Sequence, residues 1–281
     1  MKLDSNLIKI LLISRPRFWL YLAGTFLLGC AIGLNDIEQL LSISILMNFF
    51  YFLIPANIFL YGINDFFDED TDQFNFKKRS KEYSLLKNEK LWLKWILSIC
   101  FGISLIVAFS QRLFIAIVIL FFVFLSWAYS SPPLRFKARP VLDSASNVLY
   151  VLPGLVGYLQ FHEMSNIFIP IILGFCWTVA MHLFSAIPDI DPDKKAGIKT
   201  TAVLLGIRKS LILCIILWGL FAFIVIELKF LFPFTLISFV YIIIPIYLIF
   251  VPKRIQSAYW WFPYINGLIG FGAVILILLQ K

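Results

Sequence analysis

Long apolar stretches alternate with short polar ones along most of this chain. Nine of the apolar stretches approach or reach the roughly 17–25 residues that an α-helix needs to cross the hydrocarbon core of a bilayer. They cover residues 18–34, 39–63, 91–110, 113–129, 141–161, 167–187, 210–226, 230–251 and 258–280. The pattern therefore predicts an all-α polytopic membrane protein with about nine transmembrane helices.

Composition agrees with this pattern. Mean hydropathy is +0.91 and only 14% of the residues are charged, against roughly 25% in soluble domains. No polar stretch is long enough to form a separate soluble domain, so we expect one domain over residues 1–281. The cysteines fall inside predicted spans, without the spacing of a metal site, and we expect them to be buried structural residues. They are Cys30, Cys100, Cys176 and Cys214.

The basic residues are distributed unequally between the two sets of predicted loops. One set, together with the N-terminal segment, holds 21 of the 24 Lys and Arg residues. Because basic residues are enriched in cytoplasmic loops, this asymmetry places the N-terminus and the loops 64–90 and 188–209 on the cytoplasmic side of the cell membrane. Membrane topology and attraction to lipid headgroups are enough to explain most of these residues.

Two acidic segments lie in these cytoplasmic loops. The first, "NDFFDEDTD", places five carboxylates between Asp65 and Asp72, directly after the second predicted span. If that helix continues, Asn64, Asp68 and Asp72 are spaced i, i+4, i+8 and share one face. The second segment, "DIDPDKKAGIKT", repeats the i, i+4 spacing with Asp189 and Asp193. Like charges at this spacing repel, and near a low-dielectric region a cation is needed to compensate them.

Three interpretations of the acidic segments are open. They could be solvated loops in which each Asp pairs with nearby Lys. They could be calcium loops, but an EF-hand needs Gly at position six and Glu at position twelve, where the two segments have Gln73 and Arg79, then Lys194 and Thr200. They could hold Mg²⁺ and a diphosphate, since carboxylates bind Mg²⁺ and leave positions for phosphate oxygens. No Walker-type phosphate loop is present, which argues against nucleoside triphosphate hydrolysis.

The motifs favour the third interpretation, because the chain resembles the UbiA superfamily of intramembrane prenyltransferases. The resemblance is carried by "NDFFDEDTD", "DIDPDKKAGIKT", "YSSPPLRFKARP" at residues 129–140, and "RPRFW" at residues 15–19. The acidic segments are most similar to those of the lycopene elongase branch, whose acceptor is a carotenoid. Phe76 stands where the elongases have Pro, and Thr201-Ala202 stands where many members have Leu-Pro.

The resemblance implies a helical bundle around a central cavity that opens near the cytoplasmic side. It also implies Mg²⁺-dependent transfer of a prenyl group from an allylic diphosphate to a hydrophobic acceptor, with membrane lipids as the surroundings and no nucleic acid or protein partner. Two Mg²⁺ ions would be held by Asn64, Asp68, Asp72, Asp189 and Asp193, with Asp65 and Asp191 in support. The diphosphate would be bound by Arg135, Lys137 and Lys199, with Arg15 and Arg79 as secondary candidates. Tyr129 would serve catalysis as a functional aromatic residue near the cytoplasmic turn.

Three polar residues inside spans are candidates for the cavity. Asn57 precedes Asn64 by about two helical turns, so both side chains can face the same way. Asp143 and Asn147 lie near the start of the fifth predicted span. An ionisable residue at this depth indicates function, although Asp143 could equally serve as a helix N-cap.

Other functions remain open at the level of sequence. The acceptor could be an aromatic quinone precursor or a glycerol-phosphate lipid instead of a carotenoid. An ion-coupled transporter is an alternative of another class, since acidic residues near broken helices also bind ions. Against a transporter, the acidic residues lie at one face of the membrane and not at its midplane.

Overall fold

A computed structural model describes residues 5–67, 89–163, 167–229 and 231–281. These residues form helices and turns, with no β-strand among them, which confirms the all-α prediction. We number the α-helices along the chain. They are α1 (Ser5–Ile13), α2 (Thr25–Gly33), α3 (Ile43–Leu53), α4 (Pro55–Phe67), α5 (Lys90–Phe109), α6 (Leu113–Ser130), α7 (Leu142–Ala145), α8 (Leu152–Leu159), α9 (Phe168–Ala186), α10 (Ile190–Lys195), α11 (Thr201–Glu227), α12 (Val240–Phe250) and α13 (Ile255–Leu278).

Six helical stretches in the described part of the chain are long and apolar enough to cross a membrane. They are Ile43–Phe67, Lys90–Phe109, Leu113–Ser130, Phe168–Lys195, Thr201–Glu227 and Pro252–Leu278. Two further apolar helices, Leu20–Gly33 and Phe234–Phe250, match predicted spans but are shorter. The fifth predicted span, 141–161, is divided into α7, a 3₁₀ segment and α8. A multi-span membrane protein is therefore confirmed, while the count of nine stays a prediction.

The chain divides into two compact units. Unit 1 comprises Met1–Arg135 and Leu152–Glu163, and unit 2 comprises Phe136–Val151 and Met164–Lys281. The segment predicted as the fifth span thus contributes its first part to unit 2 and its second part to unit 1. Asn64 and Asp65, at the start of the first acidic segment, belong to unit 1, and the second acidic segment belongs to unit 2. The expectation of one domain over the chain stays a prediction.

In unit 1, glycines allow α2 and α8 to pack backbone against backbone. A Cβ atom added at Gly29 would overlap the Gly154 carbonyl, and one at Gly157 would overlap the Phe26 carbonyl. Small residues permit such close approach between helices in membranes, where apolar side chains gain little by leaving lipid. Hence these two glycines set the distance between α2 and α8.

A break at Ile54 and Pro55 separates α3 from α4. Pro55 has no amide hydrogen to donate, so the end of α3 needs another donor. Asn57 supplies it: its Nδ2 donates to the carbonyl oxygens of Phe52 and Leu53, at 2.7 and 3.0 Å. The break therefore remains hydrogen-bonded inside the protein, as a membrane interior requires.

Unit 2 is held together by an aromatic cluster. Trp218 of α11 stacks on Phe262 of α13 with ring centroids 5.5 Å apart, and Phe184 of α9 lies 4.4 Å from Phe262. Tyr241 of α12 completes the cluster and donates from its hydroxyl to Asn266 Oδ1 at 3.0 Å. These contacts hold α9, α11, α12 and α13 together in the unit that carries the second acidic segment.

Candidate active site

The first acidic segment begins on the last turn of α4. Asn64 and Asp65 lie within this helix, whereas Asp68, Asp72 and Arg79 lie outside the described residues. Asn64 Oδ1 accepts a hydrogen bond of 3.1 Å from Ser130 Oγ, at the end of α6. Because a carbonyl oxygen has two acceptor positions, this bond orients the amide and leaves one position for a further ligand.

Asp65 is buried and paired with Arg15. Arg15 Nη2 donates to Asp65 Oδ1 at 2.8 Å, and the two side chains are 13% and 4% exposed. The guanidinium carbon also lies 4.8 Å from the centre of the Tyr61 ring, within the range of a cation–π contact. The pair ties the segment that follows α1 to the helix that carries Asn64.

The turn after α6 carries a buried guanidinium nitrogen, the Nε atom of Arg135. Arg135 adopts a positive φ of 41°, and its amide donates to the Ser131 carbonyl at 2.8 Å. Its Nε atom is buried and makes no hydrogen bond to the described residues. A buried donor without an acceptor is costly, and an anionic ligand would satisfy it. Tyr129, the predicted functional aromatic, is half-buried one residue before Ser130.

The second acidic segment is a short helix with a defined C-terminal cap. Asp189 ends a 3₁₀ turn and directly precedes α10, on which Asp193 lies. Gly197 has a φ of +70°, and the Ile198 amide donates to the Asp193 carbonyl at 2.9 Å while the Gly197 amide donates to Lys194. This is a Schellman cap, which needs a left-handed residue at the position of Gly197. The motif glycine therefore fixes the backbone of Asp193.

Exposure separates the three aspartates of this segment. Asp189 and Asp193 are half-buried, whereas Asp191 is exposed. The shared functional face of Asp189 and Asp193, with Asp191 in support, stays a prediction.

The start of α11 brings two threonines next to buried carboxylates. Thr200 is the N-cap residue: its Oγ1 accepts from the Val203 amide at 3.2 Å and donates to Asp193 Oδ2 at 3.4 Å. Thr201 donates from its amide to Asp143 Oδ2 at 2.8 Å and from its hydroxyl to Asp143 Oδ1. Asp143 therefore accepts a hydrogen bond from the first amide of α11. It does not act as the N-cap of its own helix, α7.

The remaining candidates occupy different environments. Lys137 is half-buried in a 3₁₀ turn, and Lys199 is exposed beside Thr200. Asn147 is buried and donates from Nδ2 to the Asp143 carbonyl at 2.6 Å. Asn57 is buried as well, and its Oδ1 has no partner among the described residues. Asn57 thus combines a structural role with one free acceptor.

The donor atoms in the described part of the chain suit a hard cation. Asn64, Asp189 and Asp193 offer amide and carboxylate oxygens, which Mg²⁺ prefers, and Asn64 Oδ1 keeps an acceptor position. No group of three or more His, Cys, Asp or Glu side chains forms within the described ranges. Since Mg²⁺ in phosphate-binding sites takes only one or two carboxylates and completes its shell with water and substrate, Asn64 in the first motif suits such an ion, and Asp189 and Asp193 in the second motif suit one as well.

Three residues of the site were not among the sequence candidates. Ser130 orients Asn64, and Thr200 and Thr201 connect the start of α11 to Asp193 and Asp143. A signal was available for the threonines, because Thr before a long apolar run is typical of a helix N-cap. No signal was available for Ser130, whose partner lies 66 positions away in the sequence.

The chain is similar to known proteins of one family. Residues 19–268 match the UbiA prenyltransferase family. The chain is 41% identical over 269 residues to a lycopene elongase/hydratase of Halobacterium salinarum, covering 93% of this chain and 94% of that protein. It is 37% identical over 270 residues to one from Haloferax volcanii, covering 95% and 88%.

A solved structure has the same fold. A UbiA homolog from Archaeoglobus fulgidus, bound to DMAPP and Mg²⁺, superposes with a TM-score of 0.66 at 22% identity, over 95% of this chain and 99% of that one. The match over most of the chain, the two spaced acidic motifs and the shared all-helical fold agree with one another. This chain belongs to the UbiA prenyltransferase family.

Proposed function

We propose that this protein transfers a prenyl group from dimethylallyl diphosphate to a carotenoid polyene such as lycopene, within the membrane and with Mg²⁺. The observation that carries this proposal is the identity of 37–41% to proteins named lycopene elongase/hydratase, over almost the whole chain. The two acidic motifs and the buried guanidinium nitrogen of Arg135 provide the chemistry that an allylic diphosphate needs.

The reaction requires one bond to break and one to form. The C–O bond of the allylic diphosphate breaks, the diphosphate leaves with the electron pair, and an allylic cation remains. The terminal double bond of the acceptor then forms a C–C bond with this cation, which moves the positive charge onto the acceptor. Loss of a proton or capture of water ends the reaction.

Magnesium bound here would neutralise the charge that develops on the leaving diphosphate, without any proton transfer. We assign the metal-holding role to Asn64, Asp68 and Asp72 in the first motif and to Asp189 and Asp193 in the second, one ion per motif. The half-buried position of Asp189 and Asp193 and the Ser130 hydrogen bond to Asn64 support this assignment. Asp65 supports the first motif by fixing Arg15 against α4.

Cationic side chains complete the diphosphate site. Arg135 is the main candidate, because its buried Nε has no acceptor among the described residues and because a guanidinium can bind two phosphate oxygens at once. Lys137 and Lys199 would add single contacts, with Arg15 and Arg79 as secondary candidates. Tyr129 would face the allylic cation, since an aromatic ring attracts positive charge.

The acidic motifs would work from the cytoplasmic side of the cell membrane. The uneven distribution of the basic residues supports this orientation. A dry surface above the diphosphate is expected, because the allylic cation must meet the polyene before it meets water. Asn57 and Asn147 stay the proposed candidates for contacts with the acceptor.

A pigment profile tests the proposal. A bacterium that accumulates lycopene is transformed with this chain, and the carotenoids are identified by mass. Products longer than lycopene by one or two five-carbon units are expected, and addition of water in those products would show that the final cation is captured by water. An Asp189→Asn variant expressed at the same level serves as the control, with loss of the longer products.

An unchanged pigment profile from a well-expressed, folded protein would contradict the carotenoid acceptor. Diphosphate release from dimethylallyl diphosphate with Mg²⁺, abolished by EDTA, would then still identify a prenyltransferase with a different acceptor. Ion flux across vesicles without diphosphate release would instead favour a transporter.

A further inference from the structure

Asp143 is a buried carboxylate that the proposed reaction does not use. Its side chain is fully shielded from solvent, and both of its oxygens accept hydrogen bonds from Thr201, one from the amide at 2.8 Å and one from the hydroxyl. The Thr201 hydroxyl oxygen in turn accepts from the Val141 amide at 2.7 Å. Three hydrogen bonds therefore join the segment at residues 141–143 to the first residue of α11.

The neighbouring residue connects this junction to the second acidic motif. Thr200 donates to Asp193 Oδ2, and its Oγ1 also caps the Val203 amide. The backbone of Asp193 is held by the Schellman cap through Ile198. The path from Asp143 to Asp193 thus runs through two adjacent threonines, and all four residues belong to unit 2.

Electrostatics explain why a carboxylate occupies this buried position. The first amides of a helix have no partner within the helix, and they carry a partial positive charge from the aligned peptide dipoles. A negative charge at the amide of Thr201 is stabilised by both effects. Because Asp143 comes from a different segment, its charge fixes where α11 begins relative to α7, and thereby where Thr200 meets Asp193.

We propose that Asp143 is a positioning residue for the second acidic motif and that it acts through Thr201 and Thr200 to hold the Asp193 carboxylate ready for a metal ion. This inference rests on the proposed metal-binding role of Asp193. It assigns Asp143 a role outside the acceptor cavity, and it assigns the Thr200-Thr201 pair the function of transmitting its position. Partners that orient a metal-binding side chain change metal affinity by about 10- to 100-fold when removed.

The experiment measures metal binding without the prenyl donor or the carotenoid. Purified protein in detergent is titrated with Mn²⁺ in the presence of inorganic diphosphate, and free Mn²⁺ is followed by electron paramagnetic resonance. Thr201→Val keeps the side-chain volume but loses the hydroxyl, whereas Thr201→Ser keeps the hydroxyl. We expect Thr201→Val to weaken Mn²⁺ binding by about 10-fold or more and Thr201→Ser to bind nearly as the parent protein does.

A second variant and a second measurement make the test specific. Asp143→Asn keeps the shape but replaces one acceptor with a donor, and we expect it to weaken Mn²⁺ binding in the same direction. Hydrogen–deuterium exchange should become faster for the amides of residues 197–204 in both variants. Thr178→Val is the matched control, since among the described residues its buried hydroxyl bonds only within α9, to the Gly174 and Phe175 carbonyls, and the variant should leave Mn²⁺ affinity unchanged.

Mn²⁺ affinity within twofold of the parent value for both Thr201→Val and Asp143→Asn would overturn the inference. Equal weakening in Thr178→Val or in Thr201→Ser would also overturn it, because the effect would then not depend on the hydroxyl of Thr201. A failure of the proposed function gives a different result: the pigment profile stays unchanged. The order of Mn²⁺ affinities among the variants does not depend on the pigment profile, and it still tests the role of Asp143.

Discussion

Arg15 and Asp65 form a buried ion pair with 2.8 Å between Nη2 and Oδ1. The two residues are 50 positions apart in the sequence, and the pair joins the segment before the first predicted span to the helix that ends in the first acidic motif. The guanidinium also lies over the Tyr61 ring. The charge of Asp65 is therefore compensated by Arg15 inside the protein.

Removal of one member of this pair should destabilise the protein. Asp65→Ala removes the carboxylate of the buried pair with Arg15, and a cost of about 3–5 kcal/mol is expected for breaking a buried pair in this way. The loss should be visible as a lower unfolding temperature in detergent. Arg15→Met combined with Asp65→Leu should recover most of it, because no buried charge then remains.

A second ion pair provides the control for that prediction. Lys9 Nζ lies 2.6 Å from Glu89 Oε1, and these side chains are 32% and 10% exposed, against 13% and 4% for Arg15 and Asp65. Lys9→Met should therefore cost less than Asp65→Ala, because solvent reaches the Lys9 ammonium and weakens the pair. An equal loss in Lys9→Met and Asp65→Ala would contradict the view that burial makes the Arg15–Asp65 pair important.

Ser130 should matter for metal affinity, although it is not expected to bind the metal. Its hydroxyl donates to Asn64 Oδ1, and Ser130→Ala frees that amide to rotate. We expect the Mg²⁺ concentration for half-maximal prenyl transfer to rise by about 10-fold, in line with other residues that orient metal ligands. Ser126→Ala is the matched control on α6, because the buried Ser126 hydroxyl bonds only to the Phe122 carbonyl of the same helix in the part of the chain that the structure describes.

The second acidic motif should be essential for turnover. Asp189→Ala and Asp193→Ala each remove a carboxylate from the proposed Mg²⁺ site, and metal stabilisation of a leaving group amounts to several kcal/mol. A loss of at least about 100-fold in prenyl transfer is expected, given a factor of ten for each 1.4 kcal/mol. Asp36→Asn should retain full activity, since Asp36 is an exposed N-cap residue and Asn caps equally well. Turnover of Asp193→Ala at the parent rate would refute the assignment.

Helix packing in unit 1 gives a prediction that is independent of catalysis. Gly29→Ala introduces a methyl group where the Gly154 carbonyl lies, so α2 and α8 must move apart. A destabilisation of about 1–3 kcal/mol or more is expected from such overpacking. Gly102→Ala on α5 is the control, because a Cβ atom there meets no atom of the described residues within 4 Å. The unfolding temperatures of the two variants in detergent should differ clearly.

Local patterns were enough to predict several features of this protein. The all-α membrane fold followed from the apolar stretches, since a backbone in lipid must satisfy its hydrogen bonds within its own helix. The second motif could also be recognised from local spacing. Asp189, Asp193 and Gly197 follow one another at intervals of four residues, which reflects one short helix and its left-handed cap. The fifth predicted span was less predictable, because its division into α7, a 3₁₀ segment and α8 leaves apolar composition unchanged.

The sequence by itself determined the membrane-spanning character, the family and the acidic residues that are proposed to bind metal, because each depends on residues close together in the chain. Only the tertiary structure decided the partners of those residues. Ser130 beside Asn64, Arg15 beside Asp65 and Asp143 beside Thr201 are pairs separated by 50 to 66 positions. Such pairings depend on how helices pack and where they break, and no spacing rule within a single helix contains that information.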